Sequence, residues 1–110
     1  MSRMLLIDFD ADHARRLVER FRTKNWGAEW VGDIEGAVRL LRSGAQYDLM
    51  LLDVSPHRVD WASIVRQLQH ASIQPDHPFW CRILCISRTP KPAEFVLTIE
   101  SLGCRYAFEG

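Results

Sequence analysis

Two short apolar runs, Met4–Ile7 and Leu49–Leu52, each end on an aspartate, Asp8 and Asp53, and a segment of helical period follows each of them. An unbroken apolar run of that length is the signature of a strand buried on both faces. Burial on both faces needs helices above and below, and parallel neighbours need crossover connections that helices supply. The rest of the chain keeps this alternation. Ala14, Leu17, Val18 and Phe21 recur on one helix face, with Asp12 placed to cap the start and Gly27 to end the helix after Trp26. Ala28–Val31 is a brief second strand. Asp33 then caps a helix with Ile34, Ala37, Val38 and Leu41 inward, stopped by Gly44. Asp60 starts a third helix through Trp61, Ile64, Val65 and Leu68, and Ser72–Phe79, with Pro75 and Pro78, reads as an irregular loop. Arg82–Ile86 is the fourth strand. After the turn bracketed by Pro90 and Pro92, Pro92 suits the first position of a helix carrying Phe95, Val96, Ile99 and Leu102. Gly103 closes that helix and Arg105–Phe108 is the fifth strand. The expected fold class is α/β: a flavodoxin-like, doubly wound, five-stranded parallel sheet of order 2-1-3-4-5.

The length of 110 residues suits one domain, spanning 1–110, and 47% hydrophobic residues suffice for a core without metal or disulfide. Fourteen basic and 14 acidic residues balance to a formal charge of +0, and no block of like charge forms the footprint of a nucleic-acid binder. Only Lys24 and Lys91 are lysines. Cys81, Cys85 and Cys104 have apolar neighbours and no Cys-x-x-Cys spacing, so they read as buried free thiols. His13, His57, His70 and His77 show no metal-ligand spacing. The start of the chain turns acidic before a signal-peptide core is complete, and no apolar run approaches membrane-spanning length. A cytoplasmic protein without membrane association is expected.

In the 2-1-3-4-5 order the first and third strands are neighbours, and their carboxyl ends form the switch point where such sheets bind ligands. This places Asp8, Asp10 and Asp53 together although they are far apart in sequence. Clustered carboxylates repel unless a cation or proton compensates. Oxygen donors favour a hard ion such as Mg²⁺, and a carboxylate beside one can attack phosphorus.

Leu5-Leu-Ile-Asp-Phe-Asp10, Asp48-Leu-Met-Leu-Leu-Asp53-Val and Ile83-Leu-Cys-Ile-Ser87 resemble the first, third and fourth strands of response-regulator receiver domains of the CheY type. The resemblance runs along nearly the whole chain. It implies Asp53 as phosphoacceptor, Asp8 and Asp10 as the acidic pocket, Asp10 and Asp53 as ligands of Mg²⁺, and Ser87 as the hydroxyl that contacts the phosphoryl group. Tyr106 or Phe108 would hold the aromatic switch position. The chain departs from the family pattern in several places. Phe9 stands where the second adjacent acid is usual, with Asp10 one place further on. Phe108-Glu109-Gly110 stands where a lysine ends the fifth strand, and Trp61 and His57 replace a glycine and a proline. Arg88 and Lys91 are cations that follow the fourth strand.

The resemblance therefore implies a non-enzymatic signalling module of a two-component phosphorelay, acting through a protein partner or histidine kinase, with Mg²⁺ bound weakly and phosphorylation at Asp53 impaired. A fifth helix of the family has no residues here, so a homodimer, or a helix from a partner, is expected to cover the sheet face it would occupy. Asp10 has a second reading as a helix cap, Ser87 as a loop hydrogen-bonder, and Phe9 as a packing residue at the pocket. The alternative function is a haloacid-dehalogenase-like Mg²⁺-dependent phosphatase using Asp8 and Asp10, although Ala11-Asp12 follows where that family has Gly-Thr. No Gly-x-Gly-x-x-Gly or P-loop supports a nucleotide module.

Overall fold

A computed structural model describes residues 2–76 and 80–109. The elements run β1 (Arg3–Ile7), α1 (Ala11–Arg22), β2 (Gly27–Val31), α2 (Ile34–Arg42), β3 (Leu49–Asp53), α3 (Trp61–Ser72), β4 (Ile83–Ser87), α4 (Ala93–Ser101) and β5 (Arg105–Phe108). The sheet is parallel throughout, in the order β2-β1-β3-β4-β5, as the alternating pattern requires. Register pairs Ile7 with Leu52 and Asp53 with Ile86, which aligns the carboxyl ends of β1, β3 and β4.

Side chains alternate across the strands, so each apolar run feeds two cores. Leu5, Ile7, Met50, Leu52, Ile83 and Cys85 pack under α2, α3 and α4, with Ala37, Leu41, Trp61, Val65, Leu68 and Ile99. Met4, Leu6, Leu51 and Ile86 face the other way, toward Ala14 and Leu17 of α1. Among the described residues that second face is covered by one helix, and Leu49 and Leu84 at its margin are only partly buried. No helix among the described residues is long and apolar enough to cross a membrane. Cys85 and Cys104 are buried, Cys81 is half-buried, and all three are free thiols.

Asp33 and Asp60 cap α2 and α3 as expected, accepting from the N–H groups of Gly36 and Ser63. Several expected boundaries move, β4 among them, which spans Ile83–Ser87 rather than Arg82–Ile86. Asp10, not Asp12, caps α1: its backbone is extended and its carboxylate accepts from the N–H groups of Asp12 and His13, while Asp12 lies inside the first turn. The same helix ends at Arg22 rather than running to Gly27. Asn25 supplies the left-handed residue (φ 65°) that a glycine was expected to provide, and Gly27 is thereby freed to open β2 opposite Arg3. Pro92 sits at the cap of α4 rather than at its first helical position, where it offers no side-chain hydrogen bond. Ser72 completes α3, so the irregular segment starts later than expected; His77, Pro78 and Phe79 of that loop lie outside the described residues. Gly44 and Gly103 do stop their helices, at φ of 96° and 87°.

Candidate functional site

The switch point carries a buried charge network centred on a residue that ligand spacing did not single out, His13. Asp10 starts α1 directly after the loop from β1, which places His13 in the first turn, aimed back over the ends of β1 and β3. Its Nδ1–H donates to Asp8 Oδ2 at 2.5 Å and lies 3.2 Å from Asp53 Oδ2. Its Nε2–H donates to Glu109 Oε2 at 2.8 Å. Both ring nitrogens face carboxylates, an arrangement that calls for the doubly protonated imidazolium. The side chains of His13, Asp8 and Asp53 are all nearly inaccessible to water.

Burial disfavours the charged ring, but the hydrogen bonds to Glu109 and Asp8 outweigh it, and the His13 pKa lies above its ordinary value. Burial likewise raises the pKa of Asp8, against hydrogen bonds from the Asp10 N–H and from His13 that lower it. Both shifts act in the same direction: the site retains protons.

The sequence placed three carboxylates together, and the structure brings two of them into one pocket. Asp8 Oδ1 accepts the Asp10 N–H at 2.9 Å, and Trp30 Nε1 pins the Asp8 carbonyl at 2.8 Å. Asp53 Oδ1 accepts the Ser55 N–H at 2.8 Å, whereas Asp53 Oδ2 is buried with no hydrogen-bond partner. Asp10 turns outward. One of its oxygens caps α1 and the other takes a 2.8 Å bond from Arg88 Nη1. Its pKa is lowered by the His13 N–H and by Arg88. Arg88 also reaches toward Asp53, with Nε 3.6 Å from Oδ2. Lys91 lies over the Phe95 ring and near the Pro56 carbonyl, close enough to Asp53 for the two charges to interact.

Ser87 is fully buried, and its hydroxyl donates to the Thr89 carbonyl, so it is spent on its own loop. Phe9 packs by stacking on Trp61, whose indole is buried, and is itself 47% exposed. Tyr106 packs edge-on to Phe95 with its hydroxyl buried and unpartnered, while Phe108 is largely exposed.

These donors do not preform the oxygen shell that Mg²⁺ prefers. The ion prefers an octahedron of oxygens and retains several waters. Here Asp10 is engaged by Arg88, and an imidazole nitrogen stands between the two remaining carboxylates. The contacts of His13 escaped detection because Glu109 is 96 residues away and Asp53 is on another strand. One local signal was present. His13 precedes Leu17 by one helical turn, so it extends the inward stripe of α1 toward the strand ends.

No protein-family model and no curated protein matches this sequence. Solved structures do match. A two-component response regulator from Clostridium difficile superposes with a TM-score of 0.80 at 17% identity, over 99% of this chain and 84% of that one. A Burkholderia pseudomallei response regulator with a phosphorylated aspartic acid, calcium ion and citrate gives 0.79 at 16% identity, over 99% of this chain and 60% of that one. TrrA from Thermotoga maritima, in complex with Mg²⁺ and BeF, gives 0.74 at 15% identity, over 100% and 88%. Identities this low speak for the fold, and the fold is that of response-regulator receiver domains.

Proposed function

We propose that this chain is a receiver-type signalling module that works by protein–protein contact and has replaced phosphoryl chemistry at Asp53 with an internal ion network. The observation that carries this reading is the His13 side chain, which already lies between Asp8 and Asp53 and is held from behind by Glu109. An incoming phosphoryl group brings negative charge and needs preorganised cations to receive it. Glu109 puts a carboxylate where the resemblance calls for a lysine, and the hydroxyl of Ser87 is bonded to its own loop. Arg88 approaches Asp53, with Nε 3.6 Å from Oδ2, but it is shared with Asp10. The position of Asp10, engaged as helix cap and Arg88 partner, argues against the phosphatase alternative, which needs that carboxylate free at the reacting centre.

The test is incubation with acetyl phosphate and Mg²⁺, read on a Phos-tag gel beside Asp53→Asn. Labelling that is slow or absent is the expected result. Rapid, stoichiometric labelling abolished by Asp53→Asn would overturn the reading.

The contact surface proposed is the α4–β5 side, where Leu97 is 66% and Phe108 53% exposed. Exposed apolar groups of this size, beside an edge strand with unpaired backbone, mark surfaces that other chains cover. A homodimer is the simplest way to do so. Sedimentation at micromolar concentration is expected to show a concentration-dependent dimer that Leu97→Asp weakens; a monomer at all concentrations would remove the dimer from the proposal.

A further inference from the structure

We propose that this chain associates head to tail, with α4 of a second copy seated in the groove between α1 and β5. The inference rests on the self-association of the α4–β5 side and adds the surface that receives it.

The groove follows from strand and helix geometry. Side chains alternate along a strand, so Tyr106, which packs on Phe95 of α4, sends Arg105 and Ala107 to the opposite face of the sheet. Among the described residues that face carries α1 alone, and Leu49 and Leu84 on it are only partly buried. The rotation of α1 is fixed by its contacts. Arg22 donates to the Ala28 carbonyl, so the flank of α1 that holds it faces β2. His13 reaches Glu109 at the end of β5, so the other flank faces β5. Arg16 and Arg20 lie one and two turns after His13 on that second flank, while Glu19 points further toward solvent. Leu49, Leu84 and Ala107 thus form an apolar floor, with Arg16 and Arg20 along one side and Arg105 toward the other. All three arginines are exposed, and none enters an ion pair among the described residues.

The chain itself carries the complement. Helix α4 holds Glu94 and Glu100 and no basic residue. Leu97 stands between them, one turn from each, and is the most exposed large apolar side chain described. Both glutamates are exposed and outside any ion pair among the described residues. A helix of nine residues is about 14 Å long, within the length of about 17 Å of a five-residue strand. Seating Leu97 on the apolar floor takes both surfaces out of water and sets the glutamates against the arginines. A symmetric contact of α4 on α4 would instead bring four glutamates together with no cation of either helix between them. The two surfaces differ, so the contact is heterologous: each pair leaves one α4 and one groove open to further copies.

The experiment is sedimentation velocity of the full chain at micromolar concentration. The parent is expected to form dimers and, at higher concentration, larger species, with association about tenfold weaker in 1 M than in 0.1 M salt. Two variants each remove one surface: Leu97→Asp the inserted helix, and Arg16→Glu with Arg20→Glu the groove. The replaced side chains are exposed, and circular dichroism melts verify that both variants fold. Each alone is expected to self-associate at least tenfold more weakly than the parent, and Glu94→Lys with Glu100→Lys is expected to act like Leu97→Asp. An equimolar mixture of the first two variants is expected to pair one to one and stop there, because one retains the groove and the other the helix. The proposal is overturned if the arginine variant associates like the parent, if the mixture does not pair, or if the mass of the parent levels off at a dimer. A dimer disrupted by Leu97→Asp but not by the arginine variant leaves the α4–β5 contact standing as a symmetric one; a parent that stays monomeric at every concentration removes that contact as well.

Discussion

Replacing His13 by alanine is expected to cost about 3–5 kcal/mol of folding stability, the range for removing one partner from a buried ion pair. In a domain of this size that lowers the melting temperature by roughly 15–25 °C. The reason is what remains behind. Asp8 and Asp53 are buried at adjacent strand ends, and without the imidazolium their negative charges face each other in a region that excludes water. Arg88 pairs with Asp53 at 3.6 Å but is shared with Asp10, so it offsets the repulsion only in part. The chain would relieve the repulsion by protonating one carboxylate or by opening the end of α1, and either response costs stability. A second substitution separates this cause from lost packing: adding Asp53→Asn to the alanine variant removes one of the stranded charges and is expected to restore part of the loss. Urea denaturation of both variants and the parent measures the coupling. A loss below about 1 kcal/mol for the single variant, or no recovery in the double, would mean that water screens the network.

Stability is expected to fall as the pH rises above about 6.5. The folded-state pKa of His13 is raised from its ordinary 6.5, so the folded chain holds this proton more tightly than the unfolded one. The contribution is therefore complete below about pH 6.5 and is lost progressively as the pH climbs through the folded value. One proton sets the steepest slope, about 1.4 kcal/mol per pH unit. Asp8 acts with the same sign at lower pH: its pKa is raised from 3.8, so the folded form is favoured when it is protonated. Asp10 acts oppositely: its pKa is lowered, and the stability it contributes disappears in acid as the carboxylate takes up a proton. Denaturation midpoints between pH 6 and 9 test the main term. The parent should decline over that range, and the His13→Ala variant should decline less. Parallel profiles for the two proteins would assign the alkaline loss to other groups.

The architecture was legible because its determinants are local. A run such as Leu49–Leu52 cannot be exposed on either face, Asp33 and Asp60 carry their caps with them, and Gly44 and Gly103 mark helix ends through backbone freedom alone. Short connections and the handedness of crossovers then allow few strand orders. Boundaries were less legible where two residues compete for one role. Asp10 and Asp12 both offer a cap, and the choice depends on how the chain leaves β1; Asn25 and Gly27 both tolerate a turn, and pairing with Arg3 claims the glycine.

The candidate site divides along the same line. That Asp8 and Asp53 share a strand-end pocket follows from sequence, because each terminates a buried strand and the two strands are neighbours. Which charges meet them there was decided by tertiary structure. His13, Arg88 and Glu109 reach the pocket from α1, from the loop after β4 and from the end of β5, and apart from the spacing of His13 on the inward stripe of α1 nothing local in the sequence records those meetings. Backbone periodicity and capping are encoded over a few residues and survive in isolation, whereas the balance of buried charge is a sum over side chains that only folding brings within a few ångströms. The sequence alone therefore determined the sheet, its order and the two aspartates at its edge; the fold decided that an imidazole, backed by a glutamate, stands between them.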